Sequence, residues 1–126
     1  MSGPLALHHL AVVVEDLDRA ERFYVEVLGL PVVRRWNDAS GAPRSVWVSL
    51  AQGAFLAIER AGATTPKRSD EAPGYHCLAL RIASTERERW RARLADAGHP
   101  VERETEKTLY GRDPDGNLVA LSHWED

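Results

Sequence analysis

From Leu5 to Val14 apolar and polar positions alternate, with Leu10, Val12 and Val14 on one face and His9, Ala11 and Val13 on the other, which is the period of a strand. The spacing then changes. Leu17, Ala20, Phe23, Tyr24, Val27 and Leu28 recur at helical intervals, with Asp16 placed to cap the first turn and Gly29 suited to the C-terminal turn. A strand is predicted over Pro31–Trp36 and a loop over Asn37–Pro43. A hairpin follows, Ser45–Leu50 and Ala54–Glu59 joined through Gln52-Gly53.

The pattern then runs a second time. Arg60 to Pro73 is poor in large apolar residues and reads as a connector. Beyond it a strand is predicted over Tyr75–Ile82, then a helix opening at Thr85 with Glu88 completing a capping box and carrying Trp90, Leu94 and Ala97. Strands follow at Val101–Glu104, Thr108–Arg112 and Leu118–Trp124, the last two joined by the turn Asp113-Pro114-Asp115-Gly116-Asn117. Both helices end on a glycine, Gly29 or Gly98, with a proline two residues later. The repeat predicts two strand-helix-three-strand modules in one domain over 1–126: module one about 5–60, a linker 61–73, and module two about 74–125.

Composition narrows the partners. At 126 residues the chain has the size of one domain, so its modules share a core or a dimer interface. Sixteen Lys plus Arg against 19 Asp plus Glu, net charge −3, give no bulk attraction for nucleic acid or anionic lipid. The single cysteine, Cys77, excludes an intrachain disulfide. His8 and His9 interrupt the only short apolar run near the N-terminus, so neither a signal peptide nor a membrane span is expected, and a cytoplasmic location is the expectation.

The opening His9 on an alternating strand, the run Asp16-Leu17, Phe23-Tyr24, Leu28-Gly29-Leu30 and the closing Asp113-Pro114-Asp115-Gly116-Asn117 strand resemble the vicinal oxygen chelate superfamily of glyoxalase I, extradiol dioxygenases and bleomycin-resistance proteins. The resemblance covers nearly the whole chain. It implies an α+β fold of paired βαβββ modules with curved mixed sheets, and a cavity completed by a homodimer around a small-molecule ligand or substrate. It does not choose the reaction, because one scaffold hosts many.

In metal-dependent members of that family, the first and last strands of each module supply the ligands. Carried onto this chain by strand parity, those positions fall on His9, Glu59, Cys77 and Ala120, with His76 expected on the opposite face from Cys77. Ala120 supplies no ligand. An extradiol dioxygenase, which needs two histidines and a carboxylate, keeps only His9 of its triad. His9, Glu59 and Cys77 remain as candidate ligands for a divalent metal (Zn, Ni or Mn), with Glu59 as the candidate base of a glyoxalase-type lyase or isomerase. Against this stand ordinary structural roles: a hydrogen-bonded His9, a Glu59 paired with Arg60 or Arg81, and a buried apolar Cys77. Trp47, Ser49, Arg81, Tyr110 and Arg112 fall at inward parity and suit a largely apolar ligand cavity. The preferred expectation is therefore a binder of a small aromatic or amphipathic molecule, like the bleomycin-resistance proteins. The metal-dependent enzyme is the alternative.

Overall fold

A computed structural model describes residues 5–62, 66 and 69–125. Its contacts divide the chain into two compact units, residues 1–65 and 66–126, each built on one four-stranded mixed sheet. Of the expected linker, residues 63–65, 67 and 68 lie outside the described residues.

Unit one contains β1 (His9–Val14), helix α1 (Leu17–Glu21), β2 (Val32–Asn37), β3 (Pro43–Ser49) and β4 (Phe55–Arg60), in sheet order β1-β4-β3-β2. β1 runs parallel to β4, and the other pairs are antiparallel. Asp16 caps α1 by accepting the Arg19 amide at 3.1 Å. The helix then widens into a π-helix over Arg22–Val27, and the Leu28 amide reaches back five residues to the Phe23 carbonyl. Phe23 and Tyr24 lie in the core, 2% and 1% exposed, with their rings edge to face at 4.9 Å. They pack with Val14, Val46, Val48, Leu56 and Ile58, the covered face of the sheet.

Unit two repeats the plan with β5 (Leu78–Arg81), helix α2 (Arg87–Asp96), β6 (Arg103–Glu104), β7 (Thr108–Arg112) and β8 (Leu118–Ser122), in order β5-β8-β7-β6. The expected capping box at Thr85 is displaced. A 3-10 turn over Ser84–Glu86 precedes α2, and the Glu86 carboxylate accepts the Ala83 amide at 3.0 Å. The β7–β8 turn is held by Asp113, whose Oδ1 accepts the amides of Asp115 and Asn117 while Gly116 takes φ +86°. β1, β5 and β6 start later and β8 ends earlier than alternation alone predicts, because a pattern continues past the rungs that have a partner strand. No helix among the described residues is long and apolar enough to cross a membrane.

Candidate functional site

With the helix covering one face of sheet one, side chains of opposite parity line the other, open face. The ladder arranges them in three rows. His9, Phe55 and Ser49 form the first, Ala11, Ala57, Trp47 and Arg34 the second, and Val13, Glu59, Ser45 and Trp36 the third. A register irregularity between Val32 and Arg34 shifts the parity of β2, which brings Trp36 onto this face.

The large side chains of the rows meet as a continuous band of rings. Trp36 packs edge-on against Trp47 at 5.4 Å, Trp47 stacks on Phe55 at 4.4 Å, and Phe55 stacks on His9 at 4.8 Å with only 7° between the planes. His8 closes the band, its ring 5.6 Å from Phe55, and the Nδ1 atoms of His8 and His9 lie 2.9 Å apart, so one carries the hydrogen and the other accepts it. Arg34 lies over the Trp36 ring at 4.6 Å.

The polar groups in this band are conspicuous for what they lack. Trp36 Nε1, Trp47 Nε1 and Ser45 Oγ are buried with no hydrogen-bond partner among the described residues, and Ser45 is 1% exposed. A buried polar group left unsatisfied costs about 1–3 kcal/mol, so three neighbouring ones need an explanation. Glu59 faces Ser45 across β3 and β4 and forms no hydrogen bond or ion pair among the described residues. The expected pairing with Arg60 does not occur, since Arg60 binds Asp38 at 2.9 Å and the Pro43 carbonyl.

The register also decides which expected metal ligands meet. His9 is level with Phe55, whereas Glu59 is level with Val13, four residues and about 13 Å further along the parallel strands. His9 and Glu59 are therefore not brought together. In sheet two the same rungs pair Ala79 with Ala120 and Arg81 with Ser122, so Ala120 corresponds to Ala57, and Glu59 to Ser122. Cys77 lies one residue before β5, outside the paired rungs.

The open face of sheet two is built differently. Tyr110 carries the Arg103 guanidinium over its ring at 4.5 Å, and the His76 ring approaches it at 6.5 Å. His76 thus sits beside an open-face residue rather than opposite it, because the ladder begins only at Leu78 and strand parity does not govern His76 or Cys77. Burial pushes the half-buried Cys77 thiol above its ordinary pKa, against the opposing charge of Arg103. The Arg112 guanidinium is bound to Asp70, Glu102 and the Gly116 carbonyl; these hydrogen bonds, Asp70 first, raise its pKa and hold Asp70 below the carboxylate range. Arg112 thereby closes the loop before β8 instead of lining an open face. Ser49 donates to the Leu50 carbonyl at 3.1 Å, and Arg81 is exposed on β5. A recess of about 30 Å³ bordered by Asp70, His76 and Asn117 has room for little more than water.

The sequence of residues 6–121 matches the profile of the Glyoxalase/Bleomycin resistance protein/Dioxygenase superfamily. The chain belongs to that superfamily. Among its relatives, the glutathione transferase FosA of Serratia marcescens is 29% identical over 120 residues, covering 92% of this chain and 79% of FosA. Lactoylglutathione lyase from Agrobacterium tumefaciens superposes with a TM-score of 0.72 at 26% identity, over 98% of this chain and 97% of the lyase. FosX from Listeria monocytogenes, in a complex with Mn(II) and 1S,2S-dihydroxypropylphosphonic acid, superposes with a TM-score of 0.75 over 93% and 90% of the chains; at 19% identity it establishes the fold alone. Metal chemistry within the superfamily makes the donor set the point to test. Here the residue beside His9 is a stacked phenyl ring and the carboxylate is four residues away. No group of three His, Cys, Asp or Glu among the described residues is arranged to hold a metal ion. Sheet one thus does not bring two of the expected ligands, His9 and Glu59, onto one rung.

Trp36, Ser45 and Phe55 were not among the residues expected at the site. Alternation did carry the signal for two of them, since Ser45 shares parity with Trp47, and Phe55 with Glu59. Trp36 became visible only through the irregularity in β2.

Proposed function

We propose that this member of the superfamily binds a planar aromatic or amphipathic small molecule on the open face of sheet one, without a metal. The supporting observation is the unbroken band Trp36, Trp47, Phe55, His9. Aromatic faces bury 150–250 Å² each and gain about 0.5–1.5 kcal/mol per well-placed ring pair beyond area, so a flat ligand extends a stack that already exists. Glu59 acts in this reading as a fixed acceptor at the end of the band rather than as a base. Tyr110, with Arg103 over its ring, contributes less. A homodimer in a reducing, cytoplasmic setting completes the reading; the edge positions of β1 and β5 and the exposed Val13 on β1 support association.

The metal-dependent alternative is a glyoxalase-type lyase or isomerase; alanines, Ala57 and Ala120, stand at the corresponding rungs of the last strands, and Glu59 lies level with Val13. The test is a ligand-induced thermal shift with planar aromatics, with and without chelator, on wild type, Trp47→Ala and Glu59→Gln, alongside turnover of a hemithioacetal. Shifts that survive chelator and vanish in Trp47→Ala support binding. Chelator-sensitive turnover lost in Glu59→Gln would overturn it.

A further inference from the structure

Among the described residues, the open face of sheet one carries a single guanidinium or ammonium group, that of Arg34. Arg34 is exposed on β2, level with Trp47, and its guanidinium lies over the Trp36 ring at 4.6 Å. The other arginines of the sheet are bound or turned away. Arg35 holds Glu21, Arg60 holds Asp38, and Arg44 has the parity of Val46 on the covered face. Arg34 forms no hydrogen bond or ion pair among the described residues, so its five N–H donors meet no acceptor there. Glu59, the carboxylate of the same face, stands two strands away on β4, about 10 Å across the sheet, and does not neutralise it.

A guanidinium resting on an aromatic ring is held in place and weakly hydrated, and its planar fork matches the two oxygens of a carboxylate. Sheet two repeats the row at the same rung: Arg103 is level with Tyr110 and Tyr110 with Ala120, as Arg34 is with Trp47 and Trp47 with Ala57. The two guanidinia differ in the ring they cover. Arg103 lies over Tyr110, the aromatic of its own row, at 4.5 Å, whereas Arg34 lies over Trp36, the end of the band. Sheet two therefore folds its charge onto its ring, and sheet one presents its charge at one end of a row of rings.

We infer that the molecule bound on sheet one is a planar aromatic anion, its rings on the band and its carboxylate, or a comparable oxyanion, paired with Arg34 at the β2 edge. This rests on the binding reading of the same face and adds the charge and direction of the ligand. Contacts run without a gap from Phe55 through Trp47 and Trp36 to the guanidinium, at 4.4, 5.4 and 4.6 Å, so a ring at Trp47 brings its substituent beside Arg34. Glu59 repels an anion turned the other way.

Three naphthalenes of similar shape separate charge from stacking: 2-naphthoate, the neutral 2-naphthamide and the cationic 2-naphthylmethylammonium. Affinities are measured by calorimetric titration at neutral pH in chelator, with and without added NaCl. At low salt naphthoate should bind tightest, roughly fivefold or more ahead of naphthamide, with the cation weakest. Salt should shrink that lead, a readout on the wild type that needs no variant. Arg34→Met keeps an apolar stem and removes the charge, so it should erase the difference between naphthoate and naphthamide. Arg34→Glu should reverse the order and favour the cation. Equal affinities for naphthoate and naphthamide in the wild type, or a lead of naphthoate that survives in Arg34→Met, would overturn the inference and leave the aromatic face standing. Failure of every probe to bind the wild type would remove the face as a site and the inference with it.

Discussion

The two sheets share strand order and rung-by-rung register, yet their open faces have diverged in opposite directions. Where sheet one carries Trp47, Phe55 and Glu59, sheet two carries Tyr110, Leu118 and Ser122 at the corresponding rungs. On the open face of sheet one, two indoles and the Ser45 hydroxyl have no hydrogen-bond partner among the described residues, and Glu59 has no ion pair among them. In unit two Arg112, at open-face parity, is instead bound to Asp70 and Glu102, and away from the open faces both units pair charges, Arg91 and Arg87 on Glu104 in unit two, Arg35 on Glu21 and Arg60 on Asp38 in unit one. Satisfied groups hold a fold together, whereas unsatisfied ones beside a flat apolar band mark where something else binds.

The comparison breaks first if the cores differ as much as the faces. Leu56 and Leu109 are 0% and 1% exposed on the covered faces of the two sheets. Leu56→Ala and Leu109→Ala should each cost about 2–5 kcal/mol of unfolding free energy by urea denaturation. A large loss from only one of them would mean that the sheets are not equivalent supports.

The turns between the last two strands of each unit come next. Asp113, 3% exposed, satisfies two amides and the Asn117 side chain. Asp113→Ala leaves these donors unpaired and should cost about 1–3 kcal/mol. The corresponding turn of unit one is strained instead: Gln52 sits at φ +63°, a left-handed conformation costly for a residue with a Cβ. Gln52→Gly should raise stability by roughly 0.5–1 kcal/mol, read as a higher melting temperature. A lower one would show that the Gln52 side chain has a role that outweighs its backbone.

The smallest effect concerns acid. Hydrogen bonds from Arg35 lower the pKa of Glu21, the Ser40 hydroxyl and then Arg60 lower that of Asp38, Arg112 lowers that of Asp70, and Arg91 and then Arg87 lower that of Glu104. A depressed carboxylate stabilises the fold above its unfolded pKa, about 4, and that contribution is lost as the pH falls through the folded value. The denaturation midpoint should therefore hold steady from pH 7 to about 5 and decline below about 4. In Glu104→Gln the decline should be shallower. These groups are exposed, so the slope is modest and weakens further in salt.

Much of the fold was legible because alternation is unambiguous where one face is buried: Leu10-Val12-Val14, Val46-Val48 and Leu56-Ile58 assign their strands and faces directly. The rung was not legible. A hairpin turn sets the register of β3 against β4, but β1 meets β4 in parallel across some forty residues of chain, so packing alone decides that His9 faces Phe55 and not Glu59. The expected His9–Glu59 pair followed from parity, which a slip of two or four residues leaves unchanged. The π-helix at Arg22–Val27 was hidden for a related reason, since its extra residue per turn keeps Phe23 and Tyr24 apolar and buried just as a regular helix would.

The central claim is that ligand binding belongs to the open face of sheet one and needs no metal. Calorimetric titration of a planar aromatic in the presence of chelator, compared across wild type, Trp47→Ala and Tyr110→Ala, tests it most directly. The account predicts saturable binding in chelator, weakened roughly tenfold or more by Trp47→Ala and only about twofold by Tyr110→Ala. Binding that disappears in chelator, or that Tyr110→Ala damages more than Trp47→Ala, would contradict it.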